Sequence, residues 1–82
     1  MTNEERLEQL VRDYKTVFGS EAGKRVLEDL KRICNVLFTS FRSDPYETAF
    51  CEGQRSVFLH IQTMVERDME EIKKLIEEGY YE

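Results

Sequence analysis

Asp44-Pro45-Tyr46-Glu47 decides how this chain reads. It sets an acid at an N-cap, proline at the first helical position and glutamate at the third. Proline is tolerated there because its missing N–H would have no intrahelical partner in any case. Glu47 can reach back to the Asp44 backbone and complete a capping box. A helix therefore starts at 45. It meets no further proline, and the pattern predicts one helix over about 45–78, roughly 50 Å long at 1.5 Å per residue.

Phe50, Gly53, Val57, Ile61, Met64 and Val65 form a stripe along this helix. Beyond them a heptad seam reads Phe58, Ile61, Val65, Asp68, Ile72, Leu75. Asp68 breaks the seam at a core-type position. Either the helix has left the core there and Asp68 is wet, or Asp68 pins the register of an oligomeric coiled coil. Gly53 inside the helix costs about 1 kcal/mol against alanine, which predicts a close approach by another backbone or a local bend. Arg67 with Glu71 and Lys73 with Glu77 stand at pairing distance on an exposed helix. Glu77 and Glu78 oppose the dipole, so the helix should fray before Tyr80-Tyr81-Glu82.

Two shorter helices precede it. The first covers about 3–17, capped by Thr2 or Asn3, with Glu4 and Glu5 in its first turn. Leu7, Leu10, Val11, Tyr14 and Phe18 make its apolar stripe, and Gly19 reads as a left-handed end. Ser20 should cap a second helix over about 21–38. Its apolar face is Val26, Leu27, Leu30, Ile33, Cys34 and Leu37. Lys24, Arg25, Lys31 and Arg32 alternate with Glu28 and Asp29 on the other side, as on a solvated face. Periodicity fades over Phe38-Thr39-Ser40-Phe41-Arg42-Ser43, where two phenylalanines are expected beneath a loop. An antiparallel hairpin of helices two and three would turn near Arg42 and bring Cys34 level with Cys51, as packed thiols or as a disulfide.

With 82 residues and a net charge of −5, the chain has room for one domain, 1–82, whose core is marginal without a partner. Residues 45–82 carry nine acidic and four basic side chains. That balance works against nonspecific nucleic-acid binding, which depends on neutralising phosphates. No segment is long and apolar enough for a membrane span, and the start lacks the features of a signal peptide. Two cysteines read as reduced thiols.

Catalysis and metal binding have little to draw on. A zinc site needs clustered ligands, and only Cys34, Cys51 and His60 offer a thiol or an imidazole. Nucleophilic catalysis needs a base oriented by a third group. His60 stands between Leu59 and Ile61, on the rim of a helix. No catalytic residue, metal site or cofactor is expected, and the reading is non-enzymatic.

Two blocks resemble a known family. Tyr14 to Phe18, continuing through Gly23-Lys24-Arg25-Val26-Leu27-Glu28-Asp29-Leu30, and Thr48-Ala49-Phe50-Cys51-Glu52-Gly53-Gln54-Arg55-Ser56-Val57-Phe58, are similar to small proteins of tailed bacteriophages encoded near head-assembly genes. The type member comes from a Bordetella podophage. The resemblance covers about Tyr14 to Ile61, and its most specific part is Phe-x-Glu-Gly-x-Arg. It implies a virion or head-morphogenesis role and supplies no catalytic residues.

The expectation is an all-α fold of three helices, with an antiparallel hairpin and a long C-terminal helix that can form a coiled-coil oligomer. Its function would be helix-mediated binding to a phage structural protein or to itself, in the host cytoplasm during infection or in the virion. Glu52, Gly53, Arg55, Asp68, Ile72 and Leu75 are the protein-binding candidates. Glu52 and Arg55 can pair across a helix turn, and Arg55 suits a bidentate carboxylate contact. The alternative is a small acidic inhibitor of a host enzyme or defence complex, using the strip from Glu66 to Glu71.

Overall fold

Local capping chemistry places every helix start. In the computed structural model, which describes residues 1–34 and 44–79, the elements are α1 (Asn3–Gly19), α2 (Glu21–Ile33), α3 (Pro45–Glu66) and α4 (Met69–Glu77). The described residues are all helix and short connections. The second helix, expected to about 38, stops at Ile33 with Cys34 as its C-cap; the expected loop at 38–43, the turn near Arg42 and the final Tyr80-Tyr81-Glu82 lie outside the described residues.

Thr2 caps α1 through a capping box. Its hydroxyl accepts from the Glu5 N–H at 3.1 Å, and the Glu5 carboxylate accepts from the Thr2 N–H at 3.2 Å. α1 runs through Gly19, which is not left-handed; Ser20 turns the chain in an extended conformation and caps both helices. The Ser20 hydroxyl accepts from the Gly23 N–H and donates to the Val17 carbonyl, each at 2.9 Å. The corner is so tight that a Cβ on Gly23 would lie 1.8 Å from the Val17 carbonyl oxygen. Glycine is obligatory at this position.

The expected 45–78 helix is two helices. α3 starts at Pro45 as the sequence predicts, with the Asp44 carboxylate accepting from the Tyr46 N–H at 2.9 Å. It stops at Glu66. Arg67 and Asp68 are extended, and the Asp68 carboxylate accepts from the Glu71 N–H at 2.9 Å. Asp68 is exposed, as the wet alternative has it, and it serves as the N-cap of α4, with Glu70 and Glu71 in the favourable first turn. Arg67 and Glu71 do pair, at 2.9 Å across the bend. α4 ends at Glu77, and Gly79 just beyond its C-cap has a φ of +82°, the left-handed conformation glycine adopts readily.

The bend lets α4 fold back onto α1. Val11, Met64 and Ile72 form the core, with Leu7, Tyr14 and Met69 packed around it. Val11 and Ile72 are each 1% exposed. Burying side chains of this size contributes about 1.5–3 kcal/mol apiece. Lys15 holds the bend from α1: its ammonium donates to the Val65 carbonyl at 3.0 Å and the Arg67 carbonyl at 2.6 Å. These carbonyls lie where α3 ends and lack helical partners.

Lys73 fixes α4 at the other end. It bridges Glu4 at 2.6 Å and Glu8 at 3.2 Å on α1, where the sequence suggested Glu77. The hydrogen bond and charge of Lys73 hold the Glu4 carboxyl below the usual carboxylate range. Its hydrogen bonds to Glu4 and Glu8 push the Lys73 ammonium above its ordinary value.

Among the described residues, α2 and α3 pack mainly on α1, so α1 organises the fold more than an α2–α3 hairpin does. Cys34 and Cys51 are both free thiols, Cys51 buried and Cys34 half-buried. Leu10 on α1 and Val26 and Ile33 on α2, all expected inside, are exposed. Lys24 with Glu21 and Arg32 with Asp29 pair along the solvated side of α2.

Candidate functional site

On α3, residues three and four apart share a face. Glu52, Arg55, Ser56, Leu59, His60 and Thr63 recur at that spacing and line one side of a surface groove of about 450 Å³. Arg67, at the bend, and Leu75, on α4, close its far end. The groove exists because Asp68 stops α3; in a continuous helix Leu75 would lie beyond reach.

Arg55 and Glu52 both line the groove but form no ion pair within 4 Å, contrary to the turn-spanning pair expected of them. Arg55 is half-buried, and no hydrogen bond or salt bridge to a described residue engages its guanidinium. His60 stands half-buried on the rim, where Tyr14 meets it edge-on, with ring centroids 5.7 Å apart and planes at 89°. The Thr63 hydroxyl is turned onto its own helix, donating to the Leu59 carbonyl at 2.9 Å. The lining thus offers a cation at Arg55, an anion at Glu52 and apolar surface from Leu59 and Leu75. Among the described residues, no three His, Cys, Asp or Glu side chains converge as a metal site would require.

Of the six candidates, Glu52, Arg55 and Leu75 come together around this groove. Gly53 lies on an adjoining exposed face, with no described atom within 4 Å of where its Cβ would be. The close approach expected at Gly53 occurs instead at Gly23. Asp68 is engaged as a cap, and Ile72 is enclosed in the core, which removes it from any surface. Leu59, Thr63 and Arg67 were missing from the candidates. Their signal was available: with Arg55 they recur every fourth residue. Lys15 left no comparable trace, because its partners lie about fifty positions away.

Fold and groove define a small protein, all-helical among the described residues, with an open groove on its surface. The chain belongs to the Bbp19-like phage proteins: the model of that family matches residues 14–77. The match extends past Ile61, where the resemblance was expected to end, and takes in α4, whose Ile72 completes the core. No curated protein and no solved structure matches the chain. No helix among the described residues is long and apolar enough to cross a membrane.

Proposed function

We propose that this phage protein is non-enzymatic and acts by helix-mediated binding, as a virion structural or head-assembly component. The observation that carries the reading is Arg55. A half-buried guanidinium without an ion pair to the described residues, beside Leu59 and Leu75 in an open groove, is a ready receptor for a carboxylate on a partner helix or chain end. Such a contact is planar and bidentate, which gives it direction as well as strength. Leu59 and Leu75 supply apolar contact around it. The partner is a phage structural protein, met in the host cytoplasm and retained in the virion if the finished assembly keeps this chain.

Mass spectrometry of purified particles and of head precursors tests the reading. The chain should be found in one or both, and Arg55→Glu should deplete it while leaving its helical content intact. Absence from both would sink the structural and assembly roles. The acidic-inhibitor alternative gains no support from its strip, since Asp68 caps α4 and Glu71 pairs with Arg67.

A further inference from the structure

Among the described residues, the apolar stripe of α3 is covered along only half its length. Toward the C-terminus Met64 is sealed, at 3% exposed, against α1 and α4. Toward the N-terminus Tyr46, Phe50 and Val57 are 87%, 67% and 61% exposed. Tyr46, Phe50, Gly53 and Val57 follow one another at steps of four, three and four, so they share one face over about 16 Å. Buried Cys51 and Phe58 occupy a different face. The open half is thus a continuation of a core stripe that the other described residues do not cover.

We propose that this face seats a second copy of the chain, in a two-fold antiparallel α3–α3 contact crossing at Gly53. The inference uses a different face from the Arg55 groove and fails or stands separately from it.

The first argument is exposed apolar surface. Tyr46, Phe50 and Val57 are each more than half exposed and stand on one helix face, and contiguous apolar surface of this kind marks a protein-contact site.

The second argument is self-complementarity. A two-fold contact needs one patch to fit itself. Gly53, flanked by Ala49 and Ser56, provides a shallow centre where two backbones can approach. An antiparallel crossing there brings Phe50 of each copy beside Val57 of the other. The third argument is charge. Ala49, Gln54 and Ser56 border the stripe without charge, which suits two copies that each carry −5. A parallel pairing would set Asp44 and Glu47 against their own copies and align both helix dipoles. The antiparallel one separates them.

Sedimentation equilibrium on the full chain tests the proposal. Wild type should be a dimer at tens of micromolar. Val57→Glu, at an exposed site that leaves the fold intact by circular dichroism, should weaken association about thirtyfold or more, the size of a hot-spot loss. Phe50→Ser should act in the same direction. Arg55→Glu should remain dimeric, which separates this face from the groove. A monomeric wild type would overturn the proposal, as would a dimer that Val57→Glu leaves unchanged. So would a monomer whose binding to phage particles depends on Val57, because the occupant would then be another protein.

Discussion

At the residue scale, two glycines make opposite demands. Gly23 sits where the end of α1 abuts the first turn of α2, and a Cβ there would collide with backbone, not with a side-chain tip that could swing away. Gly23→Ala must open the corner and is expected to lower the thermal midpoint sharply, by several kcal/mol of stability, as overpacking against a rigid neighbour does. Gly53 has no described atom near its Cβ and pays only the helical entropy of glycine. Gly53→Ala should therefore raise the stability of dilute protein by up to about 1 kcal/mol. Thermal denaturation of the pair checks both signs. The sequence does not tell these glycines apart, since both lie in helical patterns. Only the packing of α1 against α2 shows which one lacks room.

At the element scale, three of the four helix starts among the described residues were legible, and the start of α4 was not. Thr2, Ser20 and Asp44 announce themselves because a cap is decided within four residues. The break at Arg67–Asp68 was just as local, an aspartate three residues before Glu71. A heptad count carried straight across it made Asp68 look like a defect in a seam. Replacing the cap exposes the difference. Asp68→Ala should cost about 1 kcal/mol and loosen α4, read as faster amide exchange at Glu70 and Glu71 than in α1. The Lys73 clamp was hidden for another reason: Glu4 and Glu8 come from the opposite end of the chain. It also gives α4 a defined pH window. Glu4 is depressed, so its contribution holds above the ordinary carboxylate range and is lost as pH falls through its lowered value. Lys73 is raised, so its contribution holds below the ordinary lysine range and is lost as pH rises through its raised value. Thermal midpoints across pH should show a plateau falling at both edges, and Lys73→Met should flatten both falls.

At the scale of the whole molecule, stability and association are linked. A chain of 82 residues has a net stability of only about 4–12 kcal/mol, and here the central cluster is Val11, Met64 and Ile72 with a half-buried surround. Ile72→Ala, at 1% exposure, should remove about 2–5 kcal/mol, much of that total. The sequence made the apolar stripe of α3 visible but not its cover, because cover depends on where α1 and α4 end up. The stripe reads the same from Phe50 to Met64, yet the described residues enclose only its C-terminal end. A fold with so small a centre and so open a stripe gains from any contact that binds the native state alone. If the second copy supplies that contact, the thermal midpoint rises with protein concentration. Val57→Glu removes the rise and leaves the dilute midpoint near wild type, because Val57 is already in water in the single chain. Scanning calorimetry over a hundredfold range of concentration separates the two: a midpoint that stays constant for wild type would mean that the single chain carries its whole stability and that the open half of α3 serves something other than its own copy.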